Sequence, residues 1–287
     1  MHKIQNQALK VRELLKLIFN PIYGLYISIL RTFRIIDFPV PPNSNMRRTS
    51  AKSLWRFWYS GLTTSLPIFV QFQAAGIDTK NQIKILDFGC GVGGQLRVMT
   101  SYLPNAHFFG CDVDPSSIKW LEKNYPRVKL FNNTVDKQLP FDDSFFEAIY
   151  TVSTFSHFSL AVSKFYLKEI ARILKPGGLA AITIEGEHAL RVVANEWDIP
   201  ETEILSELKA KGNFHITYDW LKTKQDSYKA LSPSTDIASY FDSEYGSTVF
   251  ENQFFIDLCN QYGLKLENWT SGTCCDRQDI YIFKKHQ

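Results

Sequence analysis

The chain lacks the features that mark several protein classes. It has no C-x-x-C pair, and its five cysteines (Cys90, Cys111, Cys259, Cys274, Cys275) are scattered and odd in number. That pattern argues against a zinc site or disulfide framework and for reduced thiols in a cytoplasmic setting, with no metal expected. There is no low-complexity tract and no internal repeat. The most apolar stretch, Leu14–Leu30, is broken by Lys16, Asn20, Pro21 and Gly24, whereas a spanning helix needs about 20 mostly apolar residues. The start also lacks the early apolar core and cleavage site of a signal peptide. Acids are scarce there too. Residues 1–60 hold ten Lys/Arg against Glu13 and Asp37, a net of +8, so the rest carries −5 of the overall +3. Such an arm either packs on the protein's own core, the favoured reading, or lies on a membrane surface with its cations at the edges.

Aromatic residues, in contrast, are plentiful at 14%. "PVPP" at Pro39–Pro42 ends the arm, because prolines break any helix there. An aromatic, mostly helical stretch, "SLWRFWYSGLTTSLPIFVQFQ", follows it. From Ile83, short apolar runs alternate with amphipathic segments: "IKILDF", "HFFGCD", "VKLFN", "FFEAIYTV" and "LAAITIE" read as strands. Asp114-Pro115 supplies a helix N-cap and first turn. Ala161–Leu174 puts Val162, Tyr166, Ile170 and Ile173 on one face, with Ser163, Lys164, Lys168, Glu169 and Arg172 pointing elsewhere. Strand–helix alternation implies a parallel sheet covered on both faces. The expected division is a basic helical arm or cap at 1–80, a nucleotide-binding core at 81–185, a substrate lid at 186–249 over the sheet's carboxyl edge, and a helix with a strand pair at 250–287 completing the core.

The loop "ILDFGCGVGG", Ile85–Gly94, fits two cofactors. Gly89, Gly91, Gly93 and Gly94 satisfy both a dinucleotide fingerprint and a loop associated with S-adenosylmethionine. In both, glycines let the backbone turn sharply and approach a ligand at a helix N-terminus. Both also want an acid about 20 residues on for the ribose hydroxyls, and Asp112 stands there. Asp87 tilts the balance towards S-adenosylmethionine. A carboxylate ahead of the glycines repels a pyrophosphate but suits the cationic ammonium and sulfonium of S-adenosylmethionine.

Together, "ILDFGCGVGG", "FFGCDVDPSSI", "LPFDDSFFEAIYTVSTFSHF" and "EIARILKPGGLAAITIEGEH" resemble the class I S-adenosylmethionine-dependent methyltransferases over about Ile83–His188. Within them the chain is most similar to a small-molecule or glycan methyltransferase subgroup with "DFGCG", an S-x-F-[TS]-H block, here "STFSHF", and "GEH". Gln95 departs from that subgroup, which often has Arg.

The resemblance implies a Rossmann-like, seven-stranded, mostly parallel sheet ending in an antiparallel pair, with the arm and lid added. It implies that Asp87, Gly89, Cys90, Gly91 and Gly93 shape the loop around the methionine part of the cofactor. Asp112 would accept the ribose hydroxyls, and Val113 would pack on the adenine. Val135 or Asp136 would meet the adenine amino group, and Thr151, Val152 and Ser153 would lie under the sulfonium. His157 sits past the fourth strand, and a histidine there can act as a base or hold the loop. Glu185, Glu187 and His188, with Arg47 upstream, are candidate substrate contacts. The expected reaction is methyl transfer from S-adenosylmethionine, yielding S-adenosylhomocysteine, to a small molecule or glycan at oxygen, with nitrogen transfer to a small molecule, or a non-catalytic S-adenosylmethionine-binding protein, as the alternatives. "NPIY" at Asn20–Tyr23 does not argue for a nucleic-acid substrate, since it lies in the arm and no nucleic-acid module accompanies it.

Overall fold

A computed structural model describes residues 39–48, 54–135, 137–217, 244–274 and 277–286. The arm at 1–38, Asp136 and the Arg47 side chain lie outside the described residues.

The elements follow the hydrophobic pattern. After a short helix α1 (Asn43–Arg48) and the long α2 (Leu54–Ala74), the chain alternates. It runs through β1 (Lys84–Phe88), α3 (Gly94–Tyr102), β2 (His107–Asp112), α4 (Pro115–Asn124), β3 (Lys129–Asn132), β4 (Phe146–Thr151), α5 (Leu160–Ile173) and β5 (Leu174–Ile184). Helices α6 (Leu190–Trp197) and α7 (Glu201–Lys211) and the strands β6 (Asn213–Thr217) and β7 (Gly246–Phe250) come next. Helix α8 (Asn252–Asn260) and strands β8 (Leu264–Cys274) and β9 (Gln278–Lys285) close the chain.

The main sheet has the order β3-β2-β1-β4-β5-β9-β8. Strands β1 to β5 are parallel, and β9 and β8 add antiparallel pairings at one side. This is the seven-stranded arrangement expected from the sequence. The "KPGG" run follows the end of α5 at Ile173. It lies within β5, where the register with β4 shifts between Phe146 and Ala148, so two glycines and a proline are absorbed as a bulge.

Each face of the sheet carries its own core. One holds Phe109, Phe141, Phe146, Tyr166, Ile170, Phe255 and Phe283, the other Ile68, Phe72, Ile85, Leu96, Ile118 and Ile280. Helix α2 therefore belongs to the packed body, since Ile68 and Phe72 are fully buried. On α5 the expected apolar face is buried, but so are Ser163 and Glu169. Glu169 can be buried because Arg172 pairs with it at 2.8 Å and the Leu139 amide donates to it. A buried charge needs such partners.

Candidate cofactor and acceptor site

Parallel strands β1, β2, β4 and β5 bring their carboxyl ends to one rim. The loop after β1 is pinned there by backbone bonds, the Gly89 and Cys90 amides both donating to the Cys111 carbonyl. Gly89, Gly91 and Gly93 have φ of 78°, 50° and 76°, the left-handed region that disfavours a side chain. At Gly89 a Cβ would also collide with the Thr154 hydroxyl. Gly93 caps α3, so the first amides of that helix face the rim without a side-chain cap.

Asp112 ends β2 beside this loop. Its carboxylate accepts from the Gly91 amide at 2.8 Å and the Asp114 amide at 2.9 Å. Burial raises its pKa to about 6 against those hydrogen bonds. The next residue, Val113, is half-buried on the core, and Asp114 caps α4 by accepting from the Ser116 amide, as the sequence implied. Val135 is half-buried on the same core. The adjacent chain is held to Asp112 by the Asn133 amide and the Asn132 side chain, both donating to its carbonyl. Asp87 is deeply buried below the loop, and its Oδ2 has no hydrogen-bond partner. Burial pushes its pKa well up, an effect the neighbouring Tyr150 phenol opposes and the charge of Asp112 adds to. Cys90 is also buried, and burial pushes its thiol up as well.

At the end of β4, Thr151 is buried and Val152 half-buried, while Ser153 is exposed with φ of 54°. A non-glycine residue in that conformation is strained and must be held. Gln278, at the start of β9, holds it. Gln278 Oε1 accepts from Ser153 at 3.0 Å and from Thr183 at 2.8 Å, while its Nε2 donates to Ser156 at 3.1 Å. Sequence reasoning assigned no role to Gln278. It arrives from 125 residues away along an antiparallel strand, and an isolated glutamine carries no motif.

The far lip combines β5, β9 and the β6–β7 hairpin. Glu185 is buried, and Arg277 donates to it from Nε at 2.5 Å while bonding Glu196 of α6 from Nη1 at 2.6 Å. Glu185 thus has a protein partner, although its Oε2 has none. Glu187 and His188 are exposed, in a 3-10 turn, with His188 against Gly272. His157 lies in another 3-10 turn, its Nδ1 bonded to the Gly246 carbonyl of β7 at 2.9 Å and its ring 5.1 Å from that of Tyr245. A carbonyl only accepts, so Nδ1 carries the proton. Burial, with Arg277 and His215 nearby, pushes His157 down to about 4. Tyr245 also feels the charge of Asp112, which, after burial, raises its phenol pKa. Tyr245, just ahead of β7, therefore lies within electrostatic reach of the β2 end. Among the described residues no group of three His, Cys, Asp or Glu is placed to hold a metal.

These residues fit S-adenosylmethionine. Asp112 retains lone pairs for ribose hydroxyls, the unpartnered Asp87 Oδ2 leaves a polar atom below the loop, and the positive φ of Gly89, Gly91 and Gly93 lets the loop turn sharply at the strand ends.

Comparison with known proteins gives the same direction. Residues 85–178 match a family model described as a methyltransferase domain. The phthiotriol/phenolphthiotriol dimycocerosates methyltransferase of Mycobacterium leprae is 25% identical over 163 residues, 44% of this chain and 58% of that one. The match thus spans less than two thirds of that relative. The demethylmenaquinone methyltransferase of Chlorobaculum tepidum is 26% identical, over 61% of this chain and 72% of its own length. In fold, the chain resembles the Burkholderia thailandensis 1,6-didemethyltoxoflavin-N1-methyltransferase, solved with its substrate and S-adenosylhomocysteine. The TM-score is 0.52 at 11% identity, covering 88% of this chain and 94% of that one. Strand order, rim geometry and family match agree on a methyltransferase domain of the class I S-adenosylmethionine-dependent type over residues 85–178.

Proposed function

We propose that the protein transfers the methyl group of S-adenosylmethionine to a hydroxyl of a small, largely apolar acceptor. The observation that carries this reading is the His157–Tyr245 pair within electrostatic reach of Asp112. One side offers ribose-binding geometry, and the other offers imidazole and phenol groups suited to orienting an O–H. Methyl transfer is an in-line displacement, so much of the acceleration comes from alignment, with proton removal added for a hydroxyl acceptor. Residues 186–217 and 244–249 would be the acceptor-side cover. Their core of Ala189, Val193, Trp197, Ile204, Phe214 and Val249 forms a separate packed unit, with Leu190, Ile216 and Tyr245 half-buried at its margin. That apolar margin, and relatives named for lipid and quinone substrates, support an apolar acceptor rather than a glycan. Gly89, Gly91, Gly93, Asp87 and Asp112 would hold the cofactor. His188 and Glu187 are exposed at the mouth, and Arg47 lies upstream of it in sequence; all three are offered as acceptor contacts.

The test is incubation with methyl-labelled S-adenosylmethionine and the lipid and aqueous fractions of a cell extract. Label should enter the lipid fraction as a methyl ether or ester, located by NMR. No calorimetric binding of S-adenosylhomocysteine would sink the reading, and a methyl group found on nitrogen or carbon would overturn the choice of oxygen.

A further inference from the structure

His215 lies on β6 opposite Thr248 of β7, so both side chains project from the same face of the hairpin. Its Nδ1 is 2.7 Å from the Thr248 hydroxyl, and that hydroxyl donates to the Phe158 carbonyl, also at 2.7 Å. A threonine has one hydroxyl proton, and the Phe158 carbonyl takes it. Towards His215, Thr248 can therefore only accept, which places the imidazole proton on Nδ1 and a lone pair on Nε2. That Nε2 is buried and has no hydrogen-bond partner. An unpartnered buried lone pair costs about 1–3 kcal/mol, and a fold tolerates it where a ligand, a water or a reaction uses it. The arrangement is a base held in one tautomer by an orienting hydroxyl, itself fixed to the backbone. The face it projects from is directed at the rim, since Phe158 follows the His157 turn and His157 feels the charge of His215.

We propose that His215 Nε2 is the general base that removes the acceptor's proton. This rests on the methyltransferase reading above. In the step, the acceptor oxygen forms its bond to the methyl carbon as the carbon–sulfur bond breaks. The sulfur keeps that electron pair to give S-adenosylhomocysteine, and the O–H proton passes to Nε2 and later to solvent. Burial, Arg277 and the charge of His215 all disfavour the His157 cation. Burial lowers His215 as well, but the Glu244 carboxylate, held by Ser159, opposes that shift. The charged or titratable described groups around the pair are thus Glu244, Tyr245, His157 and Arg277.

The test uses His215→Asn, whose amide keeps the donor to Thr248 but deletes Nε2, beside His157→Gln. Acceptor is the labelled lipid fraction of the extract assay, with saturating S-adenosylmethionine. His215→Asn should lower turnover about 100-fold, with S-adenosylhomocysteine affinity by calorimetry within about threefold of wild type, and His157→Gln should lower it less. Wild-type rate should fall as pH drops through the histidine range, and the variant should lose that limb. Independently of turnover, nitrogen NMR at pH 7 should show His215 Nδ1 protonated and Nε2 bare. A rate in His215→Asn within threefold of wild type, as expected if Nε2 only holds a water, overturns the assignment, as does a proton on Nε2. A wild-type protein that binds no S-adenosylhomocysteine overturns the underlying reading itself.

Discussion

Asp112 is a carboxylate whose pKa burial holds near 6 although two amides donate to it. If it accepts the ribose hydroxyls in its charged form, protonation competes with binding. Cofactor affinity should be constant above about pH 7 and weaken about tenfold per unit below the pKa of about 6. Calorimetry with S-adenosylhomocysteine from pH 8 to 5 reads this directly, and Asp112→Asn should flatten the curve at the weak end. The residues of this half of the site were legible because their physics is local. Glycines with positive φ, an acid at a strand end and an N-cap each leave a mark within a few positions. Gln278 left none, since its role depends on which strand lies beside β5. Replacing it with Ala should free strained Ser153 and leave Ser156 and Thr183 without a shared partner, costing about 1–3 kcal/mol. Thermal or denaturant unfolding measures that loss, and faster hydrogen exchange at the Ser153 amide would place it.

Among the elements, β9 has the largest structural reach into the site. Arg277, the residue just ahead of it, ties β5 to α6, so that helix is fastened to the sheet by one guanidinium between two carboxylates. Breaking such a pair strands its buried partner, here Glu185, at a cost of about 3–5 kcal/mol, less where water reaches the group. Arg277→Met should destabilise the fold, and more at pH 8 than at pH 5. Burial raises the pKa of Glu185, and without Arg277 the folded state favours its neutral form, which acid supplies and alkali removes. Denaturant midpoints at both pH values check the sign, and equal losses would disprove it. From the sequence, the strand pair at the end of the chain was legible. What could not be seen was that its first residues return to the carboxyl rim, because antiparallel entry beside β5 is a tertiary fact.

Across the whole molecule, the sequence rhythm specified the sheet and its two covered faces, because strand and helix periodicities differ. The acceptor side was only outlined. Its hairpin β6–β7 lies within a polar stretch with scattered aromatics, and its packing is decided by contacts with the His157 turn rather than by local pattern. Helix α2 joins the core through Ile68 and Phe72, and presents Tyr59, Leu66 and Val70 outward. Among the described residues no helix is long and apolar enough to cross a membrane.

The segment ahead of the sheet touches the glycine loop as well. Met46, Phe57 and Val92 form one buried cluster with Trp120 against it, and Asn45 bonds Ser116 at 3.1 Å. This gives the protein a built-in optical probe. A variant keeping Trp120 as its sole tryptophan, with Phe at Trp55, Trp58, Trp197, Trp220 and Trp269, should change emission on titration with S-adenosylhomocysteine. The indole lies beside Val92 of that loop and on the helix that Asp114 caps. Ligand arrival could then be followed in stopped flow without a label, before any acceptor is known.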